Sequence, residues 1–385
     1  MTEAAAPLPS QRHLFDIPAG VTYLNCAAHT PLLKAVHEAG LEGLARKYHP
    51  WSIDPAQTPG EAERLRGLFA GLIGARASDV AIIHSTSFGA ATAAANLPVA
   101  AGQSIVVLAD QFPSNVFSWR ALAEETGARL VTVPWPADGD WTPGVLAAID
   151  AETAIATLPP CHWSDGSRLD LAAVGAKCRA VGAAFVVDAT QTVGAMALDV
   201  AEIQPDFLIA SAYKWLLCPY TLAFLYAAPH RQDGRPLELH RWNMADVQLE
   251  ANEVAYPAEP AASATRYDMG ERNNFINLPM AVAALEQVTA WTPAAVQESL
   301  RPLTTLAADL ARARGWTVCD DAHRIGHFIG VRPTTRPSAG LVKALQARDI
   351  HISLRGGDAL RISPHLFNDA ADIERLFAAL DDLLD

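Results

Sequence analysis

Short apolar runs recur between about residue 80 and residue 226, and most are rich in β-branched or aromatic residues. They do not alternate strictly between apolar and polar positions, which is typical of strands covered on both faces of a sheet. The pattern predicts seven strands: VAIIH (80–84), SIVVLA (104–109), RLVTVPW (129–135), TAIATLP (153–159), AAFVVD (183–188), DFLIAS (206–211) and LAFLY (222–226).

Helical patterns lie between several of these runs, at residues 89–96, 115–126 and 169–181. Alternation of strand and helix along a chain indicates an α/β domain with a mostly parallel sheet. We therefore expect a large domain that contains a seven-stranded, mostly parallel sheet.

The pattern changes after about residue 228, and residues 236–275 show little regular periodicity. The remaining pattern predicts helices at 278–291, 294–314, 338–348 and 370–384, and short strands at 316–319, 325–331, 350–354 and 359–363. This mixture predicts a second, smaller α+β domain at the C-terminus. A chain of 385 residues has room for about two or three domains.

Charge and composition narrow the function classes. The formal net charge of −13 argues against non-specific nucleic-acid binding, because that binding needs Lys and Arg to neutralise phosphates. No apolar run approaches the ~20 residues of a membrane-spanning helix, and the first 20 residues lack a signal-peptide pattern. The cysteines are widely spaced and form no CxxC pair, so neither a disulfide framework nor a zinc site is predicted. We expect a cytoplasmic enzyme.

Chemically active residues follow three of the predicted strands. Asp188 ends the run AAFVVD, and Lys214 follows DFLIAS within the apolar stretch SAYKWLLCPY. After VAIIH, the small hydroxyl residues Thr86 and Ser87 open a predicted helix, whose free N–H groups and dipole favour a phosphate. Ligands of open parallel α/β sheets bind beyond the carboxyl ends of the strands, so these groups are expected to meet.

A lysine, a strand-end carboxylate and a phosphate cradle together suggest pyridoxal phosphate, which needs a lysine, an acidic partner for its ring nitrogen and an anion site. An apolar site would lower the pKa of Lys214 and make its amine nucleophilic. Each feature alone also has a simpler explanation: a solvated loop carboxylate, a helix cap, or a lysine that extends to solvent.

In order and spacing, these motifs resemble the class V aminotransferase family of pyridoxal-phosphate enzymes, which has the fold type I architecture. The resemblance runs from about Tyr23 to Asn368 and is nearest to cysteine desulfurases, kynureninases and isopenicillin N epimerase-like enzymes. It implies a homodimer with the active site at the interface. It also implies three regions: an N-terminal segment near the active site (1–30), a large cofactor domain (31–275) and a small C-terminal domain (276–385).

The resemblance assigns the cofactor contacts residue by residue. Lys214 matches the Schiff-base lysine and Asp188 the partner of the pyridine nitrogen. The further matches are Thr86, Ser87, Ser211 and Tyr213 for the phosphate, Phe112 for stacking on the ring, Gln191 for the phenolic oxygen, and Asn273, in the loop RYDMGERNNF, for the neighbouring subunit's phosphate.

On the substrate side, Arg361 in LRISPHLFND matches the arginine that pairs with the substrate carboxylate. Trp163 in PCHWSDG, His29 in NCAAHTPL and Arg355 are further candidates for substrate contact. The alternatives are a buried tryptophan beside a solvated His162, and a surface turn at His29. His323 and His327 have a possible metal-ligand spacing, but no third ligand is evident, so no metal site is predicted.

The resemblance implies an amino-acid substrate that reacts through an external aldimine and a Cα carbanion, in a lyase (β-elimination or C–S cleavage) or an epimerase. An aminotransferase, a kynureninase-like hydrolase and a non-catalytic pyridoxal-phosphate-fold binding module are the alternatives. Two departures matter. The segment ISLRGGDALRIS lacks the catalytic cysteine of cysteine desulfurases, and Gln191 stands where kynureninases typically have histidine.

Overall fold

A computed structural model of the protein describes residues 5–54, 57–245 and 259–384. After a two-residue strand, β1 (Thr22–Tyr23), seven strands form the largest sheet. They are β2 (Val80–Ile83), β3 (Ser104–Leu108), β4 (Arg129–Val133), β5 (Thr153–Leu158), β6 (Ala184–Asp188), β7 (Phe207–Ser211) and β8 (Ala223–Ala227). All seven predicted strands are therefore confirmed.

The strand order in this sheet is β2-β8-β7-β6-β5-β3-β4. Strand β8 runs antiparallel to both of its neighbours, and the other pairs are parallel. Every strand is fully buried except β4, which lies at the edge. The mostly parallel sheet expected from the continuous apolar runs is confirmed, and β2, β6 and β7 end at the same edge of it.

Helices cover both faces of the sheet. They are α1 (Lys34–Tyr48), α2 (Gln57–Leu72), α3 (Thr86–Ala94), α4 (Phe117–Thr126), α5 (Trp141–Ala148), α6 (Leu171–Val181) and α7 (Val200–Ile203). Apolar residues of α3 and α4 form one core with alternate strand residues, and α1, α2, α5 and α6 contribute to the core on the opposite face. This three-layer arrangement is the α/β fold predicted from the sequence.

The predicted helices of this region exist, but their first residues differ. Helix α3 begins at Thr86 instead of residue 89, because the Ser85 hydroxyl accepts a hydrogen bond from the Phe88 N–H (3.2 Å). Helix α6 begins at Leu171, where Asp170 caps it. The earlier start of α3 brings its first turn directly to the end of β2.

The C-terminal part contains α8 (Asn277–Trp291), α9 (Pro293–Ala313), α10 (Leu341–Gln346), α11 (Ala370–Leu384), β9 (Thr317–Val318), β10 (Ile329–Arg332), β11 (Ile350–His351), β12 (Ser353–Arg355) and β13 (Ala359–Ile362). An antiparallel sheet has the order β12-β13-β10-β9. The run predicted as one strand at 350–354 forms two, because β11 pairs with β1 and β12 pairs with β13. The predicted helix 338–348 is shorter, at 341–346.

The predicted domain limits at 30/31 and 275/276 stay predictions. In the part of the chain that the structure describes, no helix is long and apolar enough to cross a membrane.

A buried ion pair holds residues 264–272 against the large sheet. Arg66 of α2 is fully buried and donates two hydrogen bonds to the Asp268 carboxylate (2.8 and 3.0 Å). The same carboxylate accepts from the Ile82 N–H of β2 (2.8 Å), and Arg272 Nε lies 2.9 Å from it. The carboxylate thus connects α2, β2 and the loop that leads to Asn273.

Replacing this carboxylate is expected to destabilise the protein. Asp268→Asn removes the buried counter-charge of Arg66 and leaves the guanidinium with the exposed Glu63 carboxylate, 3.3 Å away, as a partner. Loss of one partner of a buried pair costs up to about 3–5 kcal/mol of unfolding free energy. The measurement is the urea midpoint. The control is Asp381→Asn, which removes an exposed partner of Arg314 and should cost less than about 1 kcal/mol. Equal midpoints for the two variants would contradict the role given to Asp268.

Candidate active site

The ends of β2, β6 and β7 bring the predicted cofactor residues to one place. Asp188 is the last residue of β6, Ser211 is the last of β7, and Lys214 follows three residues later. A pocket beside them contains most of the predicted ring-side residues. Its lining residues are Gln111, Phe112, Pro159, Cys161, Trp163, Asp188, Thr190, Gln191 and Lys214.

Hydroxyl groups from three segments form one cluster next to this pocket. The Thr86 hydroxyl lies 2.7 Å from the Ser211 hydroxyl and 3.0 Å from the Thr190 hydroxyl, which in turn accepts the Ser211 N–H (3.1 Å). Ser87, one residue into α3, is exposed and contacts the Ser85 hydroxyl (2.9 Å). The first turn of α3 therefore presents N–H groups and hydroxyls together, an arrangement suited to a phosphate.

Lys214 is 5% exposed. Burial and, to a smaller extent, the nearby Arg361 charge lower the pKa of its ammonium, Asp188 opposes the shift, and the resulting pKa is about 7. Its Nζ lies 5.2 Å from the centre of the Phe112 ring and 5.5 Å from that of Tyr213. An amine with this pKa is largely neutral just above pH 7, so it can act as a nucleophile or accept a proton.

Asp188 is a buried carboxylate, and no Lys, Arg or His nitrogen of the described residues lies within 4 Å of its oxygens. Burial raises its pKa, and the hydrogen bonds from Thr190, including its N–H at 3.1 Å, and the Lys214 charge oppose that rise. A buried carboxylate of this kind is stabilised when a cation, such as a protonated ring nitrogen, binds beside it.

The Gln191 side chain already makes two hydrogen bonds. Its Nε2 donates to the Ala27 carbonyl (3.0 Å), and its Oε1 accepts from the Trp215 indole (3.0 Å). One N–H of the amide is left to contact a bound molecule. Trp215, the residue after Lys214, is thus a supporting residue that the sequence analysis missed.

The predicted substrate residues Arg361, Trp163 and Arg355 lie together. Arg361 of β13 is buried and donates to the Trp163 carbonyl (2.8 Å), and the Trp163 indole donates to the Asp110 carbonyl (2.7 Å). The Arg355 and Arg361 guanidiniums lie 5.5 and 5.9 Å from the centre of the Trp163 ring. The edge of that ring meets Phe112, with the ring centres 5.5 Å apart.

His29 is exposed and stacks near two tyrosines. Its ring centre lies 5.5 Å from that of Tyr213 and 5.9 Å from that of Tyr220, and the two tyrosine rings are 4.4 Å apart. Because Tyr213 also lies against Lys214, this aromatic group extends from the lysine to the surface. It connects the N-terminal segment with the pocket.

Two other residues of the sequence analysis, Asn273 and His162, are not among the residues that line the pocket. Asn273 accepts a hydrogen bond from Arg272 (3.1 Å), and its expected contact with the neighbouring subunit's phosphate stays a prediction. His162 is fully buried, with its ring nitrogens 2.8 Å from the Ser164 hydroxyl and 3.1 Å from the Ala109 carbonyl. The alternative of a solvated His162 was therefore wrong.

Within the described ranges, no cluster of three His, Cys, Asp or Glu side chains could hold a metal ion. His323 faces Asp140, whereas His327 contacts the Gln191 carbonyl (2.7 Å).

Four pocket residues were missed at the sequence level: Gln111, Pro159, Cys161 and Thr190. Thr190 stands within the quoted motif VVDATQ, between Asp188 and Gln191, so its position offered a signal. Cys161 is buried, which raises the pKa of its thiol. Cys161 belongs to the motif PCHWSDG, in which only His162 and Trp163 were considered as pocket residues.

The family model for class V aminotransferases matches residues 22–376. The chain therefore belongs to that family of pyridoxal-phosphate enzymes, and pyridoxal phosphate is its cofactor.

Curated relatives cover several activities. An uncharacterized aminotransferase, YcbU, from Bacillus subtilis is 26% identical over 94% of this chain and 94% of its own length. A kynureninase from Pseudomonas fluorescens is 28% identical over 81% and 75% of the two chains, and an isopenicillin N epimerase from Amycolatopsis lactamdurans is 24% identical over 97% of each. The predicted kinship with kynureninases and epimerases is confirmed.

Among solved structures, the complex of the cystine C–S lyase C-DES with its product cysteine persulfide superimposes with a TM-score of 0.85. It covers 95% of this chain and 98% of its own, at 19% identity. At that identity the likeness is one of fold, and it confirms the fold type I prediction.

The residues present fit this cofactor. Its aldehyde requires a neutral amine, and burial supplies one at Lys214. Its protonated ring nitrogen requires an anion, and Asp188 is a buried carboxylate with no ion pair in the described residues. The Phe112 ring and the hydroxyl cluster at α3 suit a flat ring and a phosphate.

The pH dependence of cofactor attachment should follow the pKa of Lys214. Only the neutral amine attacks an aldehyde, so attachment to cofactor-free protein should rise with pH and reach half its maximum near pH 7. Arg361→Gln removes a cation that lowers this pKa, so the midpoint should move to higher pH. The measurement is the fraction of protein that carries the cofactor after borohydride reduction, read by mass.

Arg348→Gln, which changes an exposed arginine paired with Asp382, should leave that midpoint unchanged. A midpoint near the ordinary lysine pKa of about 10 would contradict the neutral amine.

Proposed function

We propose that this protein uses pyridoxal phosphate to act on an α-amino acid, with Lys214 removing the Cα proton, as a lyase (β-elimination or C–S cleavage) or an epimerase. One observation carries the proposal: a buried lysine with a pKa of about 7 lies within electrostatic reach of a carboxylate, Asp188, and a guanidinium, Arg361. A binding module would not need an amine whose pKa is matched to proton transfer near neutral pH.

The cofactor residues have distinct tasks in this proposal. The Thr86, Ser87 and Ser211 hydroxyls and the first N–H groups of α3 hold the phosphate, with Tyr213 as a further phosphate contact. Phe112 covers the ring, Asp188 binds its nitrogen, and Gln191 offers its remaining N–H to the phenolic oxygen. When bound, pyridoxal phosphate supplies an electron sink for the electron pair left at Cα.

The substrate residues hold and orient the amino acid. Arg361 binds the carboxylate, and its hydrogen bond to the Trp163 carbonyl fixes the guanidinium for a two-point contact. Trp163 and His29 line the remaining space. Lys214 Nζ takes the Cα proton as a neutral amine and, in an epimerase, a proton returns to the opposite face of Cα. In a lyase, a β-substituent leaves instead.

The family relatives support more than one reaction class. Curated relatives include an epimerase as well as an aminotransferase and a kynureninase, and the C–S lyase shares the fold. Residues 352–363 contain no cysteine, so C–S cleavage here would not pass sulfur to a thiol of that segment. Gln191, in place of the histidine of kynureninases, favours lyase or epimerase chemistry over the kynureninase-like alternative. Aminotransfer is the runner-up.

We also propose a homodimer with Asn273 reaching the neighbouring subunit's phosphate site. Apolar side chains on and after α1 are exposed, which is typical of a surface that another protein covers: Leu41 (55%), Leu44 (54%), Tyr48 (78%) and Trp51 (81%). The buried Asn273 Nδ2 has no hydrogen-bond partner in the described residues. A cytoplasmic location stays a prediction from the sequence.

Removing the proposed base should abolish proton exchange at Cα. In D₂O, holoenzyme should exchange the Cα proton of at least one amino acid of a panel. The exchange rate of Lys214→Ala should be lower by about 10²–10⁴-fold, which is the usual contribution of a general base. NMR measures the exchange. Lys343→Ala, a change of an exposed lysine on α10, should retain it. Wild-type exchange that survives in Lys214→Ala would overturn the role of Lys214.

A charge on α1 should weaken the dimer. Leu44→Glu puts a carboxylate into the proposed apolar interface, so its mass by light scattering should move from dimer towards monomer at low micromolar concentration. Ala347→Glu adds the same charge at an exposed position at the end of α10 and should stay dimeric. A monomeric wild-type protein would contradict the proposed assembly.

A further inference from the structure

Two arginines beside the pocket have no carboxylate partner in the part of the chain that the structure describes. Arg361 is 1% exposed and Arg355 is partly buried, and the Nε of each is buried without a hydrogen-bond partner in the described residues. No described Asp or Glu forms an ion pair with either guanidinium. Burying a cation costs free energy unless an anion pairs with it. We therefore expect both guanidiniums to bind anions that do not come from the described residues.

The two arginines face the same space. In the antiparallel pair β12–β13, Arg361 lies opposite Ser353 and Arg355 lies opposite Ala359. The arginines are therefore diagonal neighbours on one face of the sheet, and their side chains begin about 7–8 Å apart. Both guanidiniums reach the Trp163 ring, at 5.5 and 5.9 Å from its centre.

The two guanidiniums are close enough for their charges to interact. Burial and, to a smaller extent, the charge of Arg355 lower the pKa of Arg361 to about 9. Both arginines also lower the pKa of Lys214, which Asp188 partly offsets. Three basic groups thus lie within electrostatic reach of one carboxylate. The α-carboxylate of an amino acid neutralises one guanidinium and leaves the other without an anion.

We propose that Arg355 binds an anionic group at the end of the substrate's side chain, so that the substrate is an amino acid with a carboxylate, sulfinate or sulfonate side chain. This inference rests on the proposed function, in which Arg361 holds the α-carboxylate. A guanidinium matches these planar or trigonal oxyanions with two parallel hydrogen bonds. Tyr213, whose pKa burial raises to about 12, stays neutral and does not compete as an anion.

The test compares isosteric ligands that differ in charge. Holoenzyme is titrated with aspartate, glutamate and cysteate and with asparagine, glutamine and alanine, and the change in the visible absorbance of the bound cofactor gives each Kd. We expect aspartate or glutamate to bind about 100-fold more tightly than its amide, because the partly buried Arg355 guanidinium has no counter-charge when the amide binds. Cysteate shows whether a sulfonate is accepted.

Variants assign the preference to Arg355. Arg355→Gln should reduce the acid-to-amide ratio to within about threefold, and Arg355→Lys should retain part of it because the charge remains. Arg348→Gln, at an exposed position, should leave the ratio unchanged. If Arg355→Gln does not accumulate as folded protein, the Lys variant and the wild-type ratio decide the question.

The outcomes separate this inference from the function beneath it. If neutral amino acids bind with the same Kd as acidic ones, the assignment of Arg355 is overturned and the proposed function is left intact. If Arg355→Gln weakens the binding of aspartate and asparagine equally, the assignment is also overturned, since Arg355 would then only shape the pocket. No absorbance change and no Cα exchange with any amino acid would overturn both.

Discussion

The chemistry of the pocket depends on the burial of the Lys214 amine at the carboxyl ends of the strands of the large sheet, which costs free energy when the amine is charged. An ammonium cannot be buried beside two guanidiniums at low cost, so the group loses its proton at a pH where an exposed lysine keeps it. Burial also raises the pKa of Asp188, and Arg361 has no carboxylate partner among the described residues. The pocket therefore contains groups whose charges are unfavourable without a ligand and become favourable when anions and a protonated ring bind.

The fold keeps these groups in place through contacts between distant parts of the chain. Thr86, Thr190 and Ser211 join the ends of β2, β6 and β7 in one hydroxyl cluster. On the other side, the N-terminal segment contacts both sheets. Its Ala27 N–H donates to the Ser363 hydroxyl (3.0 Å), and its carbonyl accepts from Gln191. Residues 22–30 thus connect the cofactor side of the pocket with the sheet that contains Arg361.

Much of this arrangement could be predicted from the sequence, because strands buried on both faces have apolar runs that are easy to recognise. The strand ends then placed Asp188 and Lys214 at one edge. What could not be predicted depends on contacts far apart in the chain. The division of residues 350–354 into two strands follows from the pairing of β11 with β1, more than 300 positions away. Trp215 binds Gln191 only because both strand ends meet in space.

The pocket region contains more basic than acidic groups, and this explains why Arg361 and Arg355 lie near Lys214. Arg361 and Arg355 lower the pKa of Lys214, which favours the neutral amine that reacts with an aldehyde. In the proposed function, an amino acid places its carboxylate on Arg361 and neutralises that charge. The pKa of the released Lys214 amine then rises, which makes it a stronger acceptor for the Cα proton. A second anion on Arg355 would increase this effect, so substrate binding and base strength would be coupled through the same two guanidiniums.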